Sequence, residues 1–244
     1  MMKRIFLHFL VSLLIASIVV SFGFSQTAKE IREKMIEAEG GKAAFESVKD
    51  MTLSGAAELI QQGLSGPITV YKKEPDKRRL DFEVYGLVIT QAYDGKIAWQ
   101  INPQTGSTEE MSEQDAAEMK RESLPIVSAL YPEKYGFTYE YKGKEKIEEK
   151  EYYLLEITYP DGFKTANYVD PETYLTYKIK AKTTGPMGNE VEVEQFPSDY
   201  KKVEGMVLAH SFITYYNGEE FLRITIEEVK FNTELEDSLF KMSE

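Results

Sequence analysis

The chain is 244 residues long, contains no Cys, and sets 29 Lys and Arg against 41 Asp and Glu for a net charge of -12. Without Cys there is no disulfide, no thiolate chemistry and no cysteine to carry a lipid anchor. So acidic a surface repels phosphate backbones and anionic headgroups, which argues against nucleic acid and against more than transient membrane contact; it also serves solubility by itself.

Residues 1–25 open with Lys3 and Arg4, continue as an uncharged apolar run, and end with small residues at Gly23 and Ser25. This is the pattern of a secretory signal peptide cleaved before Gln26. The competing reading is a signal anchor, since the run approaches membrane-spanning length. Cleavage leaves residues 26–244, more acidic still by the loss of Lys3 and Arg4, as one soluble β-rich domain with no linker, repeat or low-complexity tract to divide it.

Thr27 and Glu30 stand in capping-box spacing, and Ile31, Met35 and Ala38 share one face of the helix that follows. Gly40 and Gly41 end or kink it, and a shorter piece with Ala44, Phe45 and Val48 leads into the first strand. From Leu53 the period becomes two, clearest where Leu80, Phe82 and Val84 alternate with Arg79, Asp81 and Glu83. Tyr85-Gly86, Asp94-Gly95, Asp161-Gly162 and Asn217-Gly218 read as tight hairpins, with further turns at Asp170-Pro171 and Gly185-Pro186. Ile97, Trp99 and Ile101, then Tyr153, Leu155, Ile157 and Tyr159, then Leu222, Ile224 and Ile226 continue the alternation. The sum is an antiparallel meander of about ten strands, a number at which a twisted sheet curls. Residues 103–136 break the pattern: Ser112 and Asp115 cap a short helix, Pro125 stops or restarts it, and Leu124, Ile126, Val127, Leu130 and Tyr131 form an apolar cluster that needs a partner. An excursion of this length inside a compact domain reads as a lid over the curled sheet.

Catalytic constellations are scarce. His210 is the one histidine after the leader, and a lone strand histidine is most simply structural; with no Cys there is no Cys-His dyad and no ordinary zinc site. There is no GxSxG elbow, EF-hand spacing or Gly-rich phosphate loop. Glu190, Glu192 and Glu194 alternate along a strand as a solvated face, and the abundant Tyr residues are ordinary β-formers as well as possible ligand stackers. Neither a cofactor nor a metal is expected, and the chain is not expected to be an enzyme.

The stretch YDGKIAWQINP, with Asp94, Gly95, Lys96, Trp99, Asn102 and Pro103, resembles the D-G-K-x-x-W-x-x-N-P signature of the outer-membrane lipoprotein-sorting family, the LolA/LolB-like periplasmic carriers. The order of elements agrees: a leader, an amphipathic helix, a strand ending in basic residues before Pro75, and a helical excursion with Pro125 before a further run of strands. The helix end at Glu39-Gly40-Gly41 and the late Asp199-Tyr200, Val203 and Gly205 resemble a divergent branch of that family. Where the carrier has a lid-holding Arg directly before the Pro, this chain has Glu74, with Lys72 and Lys73 as the nearby bases. The acceptor's protruding apolar loop has no counterpart.

The resemblance implies an α+β, mainly β fold: a strongly curved antiparallel half-barrel, unclosed, with helices as a lid over an apolar cavity. It implies a non-catalytic periplasmic protein whose partners are lipid or lipoprotein acyl chains, an inner-membrane donor and an outer-membrane acceptor. The candidate cavity residues are Phe82, Val84, Ile89, Trp99 and Ile101 from the sheet and Leu124, Ile126, Val127 and Leu130 from the lid. Two other readings stand beside it: a sensor or scaffold of the same fold with a filled core, and an envelope hydrolase using facing sheet carboxylates.

Overall fold

The structure, a computed structural model, describes residues 27–102, 105–184 and 189–242; the expected signal peptide, Pro103 of the motif and the Gly185-Pro186 turn fall outside them. The described residues form one 13-stranded antiparallel sheet. In chain order its strands are β1 (Asp50–Leu59), β2 (Leu64–Lys73), β3 (Lys77–Val84), β4 (Leu87–Tyr93), β5 (Ala98–Ile101), β6 (Thr108–Glu110), β7 (Thr138–Ile147), β8 (Lys150–Thr158), β9 (Lys164–Val169), β10 (Thr176–Thr184), β11 (Glu190–Val203), β12 (Met206–Tyr216) and β13 (Glu219–Phe231). The spatial order β6-β5-β4-β3-β2-β1-β13-β12-β11-β10-β9-β8-β7 is two meanders joined at one seam, where β1 pairs with β13. The edges, β6 and β7, are not paired to each other, so the sheet is unclosed.

The hairpins form where the sequence supplies residues tolerant of positive φ. Tyr85 and Gly86 (φ 51° and 77°) and Asn217 and Gly218 (φ 50° and 82°) occupy paired left-handed positions, the geometry that matches the twist of two-residue loops. Glu204 and Gly205 do the same between β11 and β12. Gly66 is needed for another reason: a Cβ there would stand 1.8 Å from the Glu83 carbonyl oxygen, so only glycine lets β2 and β3 approach this closely.

The two N-terminal helices among the described residues lie on one face of the sheet. α1 (Ala28–Ala38) starts at the expected capping box, with the Thr27 hydroxyl accepting from the Glu30 N–H at 3.2 Å and the Glu30 carboxylate accepting from the Thr27 N–H at 2.8 Å. Its Ile31, fully buried, packs on Leu155 and Val169. α2 (Lys42–Ser47) drives Phe45, with Val48 just beyond it, onto Met206, Ile226, Val229 and Phe231. A third cluster joins Ala57, Ile68, Phe82 and Val84 on the same side. The registers tie these together: Ile224 faces both Ala57 and Phe212, and Phe82 faces both Ile68 and Ile89.

The opposite face carries charge and aromatic rungs. Lys178, Lys180 and Lys182 on β10 pair with Glu194, Glu192 and Glu190 on β11, and Tyr152, Tyr177, Phe196 and Tyr215 stand in successive ring contact across four strands. The C-terminal segment also crosses this face. Asp50, only 4% exposed, receives the backbone N–H groups of Thr233 and Glu234 at 2.8 and 3.0 Å, and the segment ends in a turn of 3-10 helix (Asp237–Phe240) that buries Phe240 completely. No helix among the described residues is long and apolar enough to cross a membrane.

Candidate ligand cavity

α3 (Glu113–Glu122) begins with the Ser112 hydroxyl accepting from the Asp115 N–H, which is the cap expected from the sequence. The helix packs against β4 and β5 at one wing and reaches the β8–β9 turn at the other, where Arg121 pairs with Asp161 and lies 3.8 Å over the Phe163 ring. β5 and β9 are nine strand spacings apart, about 43 Å in a flat sheet at about 4.8 Å each. A helix of 10 residues is only about 15 Å long. One short helix touches both wings only because the sheet curls around it; the face carrying the helices is the concave one, and α3 is a strap across its mouth.

Polar contacts hold the strap and the chain after it. Arg78 on β3 pairs with Glu122 at 3.0 Å, and the Lys72 ammonium donates to the Glu122 carbonyl at 3.2 Å. Glu74, directly before Pro75, accepts the Ile126 N–H at 2.8 Å. Burial lowers the Lys72 pKa to about 8, against the attraction of Glu74, and burial raises that of Glu74, against the hydrogen bond from Ile126.

Beneath α3 lies a cavity of about 250 Å³, slightly below the roughly 300 Å³ at which small-molecule sites begin. Its floor is Thr165 on β9, Ile179, Ala181 and Thr183 on β10, Val193 and Gln195 on β11 and Tyr216 on β12; Phe163 and Tyr159 close one side, and Glu118, Arg121 and Glu122 form the roof.

The candidate residues are divided by this geometry. Phe82 and Val84 are buried together on the concave face with Ile89 packed beside them. Ile126 and Leu130 pack onto the cluster around Phe45 and Val48, so this part of the lid fills the space it covers. Val127 is half-buried, and Leu124 lines a separate shallow pocket with Ala117, Lys120 and Pro160. Trp99 and Ile101 are a correction to the expected arrangement: they lie on the convex face. Ile89 and Gln91 share the concave face and Gln91 pairs with Gln100, so the intervening Trp99 points away; its indole N–H donates to the Phe240 carbonyl at 2.8 Å under the C-terminal segment.

The cavity floor on β9 to β12 and the roof acids were not among the sequence candidates. The signal was present: the Lys and Glu rungs on β10 and β11 occupy the solvated face, and the residues between them must face inward. His210 is 4% exposed, with Nδ1 2.9 Å from the Leu208 carbonyl. Among the described residues no group of three His, Asp or Glu is placed to hold a metal.

No family model matches the sequence, and no curated protein is similar to it in sequence. Solved structures do share its fold. A DUF1329 family protein from Desulfovibrio piger superposes with a TM-score of 0.61 at 13% identity, covering 89% of this chain and 98% of that one. The LolA superfamily protein NE2245 from Nitrosomonas europaea superposes with a TM-score of 0.60 at 14% identity, with the same coverage. The chain has a LolA-like fold, divergent in sequence.

Proposed function

We propose that this chain is a soluble, non-catalytic periplasmic carrier or binding protein that sequesters lipid or lipoprotein acyl chains on its concave face, taking them from an inner-membrane donor to an outer-membrane acceptor. The observation that carries the reading is the strap: α3 spans an apolar-floored cavity and is held at both wings by charged contacts, Arg78–Glu122 and Arg121–Asp161. Each methylene withdrawn from water contributes about 0.8 kcal/mol, so part of one chain is enough to compete with partly exposed ion pairs, which are worth about 1 kcal/mol or less. Ligand entry then opens the lid at modest cost. The likeness of fold to a LolA superfamily protein supports the same reading.

Native mass spectrometry of protein purified from its own envelope tests it, together with uptake of a fluorescent fatty acid or lipopeptide. Co-purifying lipid and saturable uptake are expected; a preparation that is always empty and takes up neither probe sinks the proposal. The second reading, a sensor or scaffold with a filled core, is favoured by one observation: Ile126 and Leu130 pack solidly against the cluster around Phe45. It gains the ground if ligand is absent while a specific envelope protein binds stoichiometrically.

A further inference from the structure

We propose that the cavity beneath α3 selects amphiphiles that end in a cation or a neutral hydrogen-bond donor over those that end in a carboxylate, with Glu118 as the discriminating group. The inference rests on the acyl-chain reading above and adds the chemistry of the ligand's polar end.

The charges around the cavity lead to it. Arg121 is held by Asp161 and stacked on Phe163, and Arg78 is held by Glu122. Lys72 is buried, donates a hydrogen bond to the Glu122 carbonyl, and is under the charge of Glu74. Each of these cations thus already has an acid beside it, which leaves Glu118 as the unmatched charge at the cavity. The neutral floor is already engaged as well: the Thr165 hydroxyl donates to Asn167 at 2.7 Å.

Glu118 differs from all of these. It lines the cavity one turn before Glu122 on the same helix face, and it makes no hydrogen bond or ion pair among the described residues. Its side chain is open to solvent along the cavity mouth, yet enough protein surrounds the carboxylate to raise its pKa, with Glu122 adding to the shift and Arg121 and Arg78 opposing it. The same negative potential reaches the floor: burial raises the pKa of the Tyr216 phenol, and Glu118 and Glu122 add to the rise. An ammonium, hydroxyl or amide N–H arriving beside Glu118 gains a charge-assisted hydrogen bond. A carboxylate arriving there meets a like charge that Arg121 and Arg78, each already paired with its own acid, offset only in part.

The test uses the full chain, N-phenyl-1-naphthylamine as a neutral fluorescent reporter, and displacement by dodecylammonium, monododecanoylglycerol and dodecanoate, each below its micelle concentration at neutral pH. The chain length is constant, so only the polar end varies. Wild type is expected to bind the ammonium and the glycerol ester about tenfold more tightly than the carboxylate, the scale of a partly screened charge pair. Glu118→Gln brings the three within about twofold of one another. Glu227→Gln, exposed on β13 outside the cavity and equal in net charge change, keeps the wild-type order. Equal affinities in wild type, a preference for dodecanoate, or unchanged selectivity in Glu118→Gln overturns the inference and leaves the acyl-chain reading standing. Failure of all three amphiphiles to bind overturns both.

Discussion

Glu39, the residue that closes α1, is held between helix and sheet with no ion pair, and burial alone lifts its pKa from 4.5 to about 7. Burial pushes the Tyr139 phenol up to about 12 and raises that of Tyr200, and the charge of Glu39 adds to both. Because the folded state keeps the proton that the unfolded state releases, stability falls as pH rises from 4.5 to about 7 and is level above that. The shift corresponds to about 3 kcal/mol. Urea unfolding at pH 5 and pH 8 should show the loss in wild type, and Glu39→Gln should remove most of the difference. Trp99 is instructive at the same scale. Its alternation with Ile97 and Ile101 was legible, as was the hairpin before it, but the face was not. Which face a strand residue takes is decided by register across the preceding loop, here Tyr93 opposite Ala98. Its true cover, Phe240, comes from the other end of the chain, where no local pattern can announce it.

At the scale of elements, the capping boxes, glycine hairpins and alternating strands were legible because each is local chemistry. The strap was legible as a helix but not as a bridge, since Arg121 and Asp161 are partners only after the sheet has curled. Replacing Arg121 and Arg78 together by Ala is expected to speed dissociation of a bound fluorescent fatty acid by about tenfold in stopped flow, with a modest fall in melting temperature, because both guanidinium groups are largely buried while their acid partners are half-exposed. An unchanged dissociation rate would remove α3 as the gate. The C-terminal segment makes a second prediction. Phe240→Ala empties a fully buried site and should cost about 3–5 kcal/mol. Trp99 is the single tryptophan of the chain, so its emission should shift to the red as the segment lifts from the convex face.

For the whole molecule, the proposed loading of the cavity requires α3 to part from the wing that holds β9. Nitroxide labels at Lys120→Cys on α3 and Lys164→Cys on β9 are unambiguous in a chain with no other Cys. Their separation, read by double electron–electron resonance, should lengthen and broaden when an acyl ligand is added; one narrow distance in both states would favour the scaffold. The seam between β1 and β13 carries a different consequence. Met51 faces Phe231 and Leu59 faces Leu222, so the strand at the middle of the sheet waits for the last strand of the chain. Each wing is a string of neighbouring hairpins able to form early, whereas joining them closes a loop that spans nearly the whole polypeptide and bears its entropy before the contacts return it. Folding should therefore show a fast phase of wing formation and a slower phase of seam closure. A chain truncated before β13 should expose the inner edge of both wings as unpaired strand, the surface on which sheets aggregate.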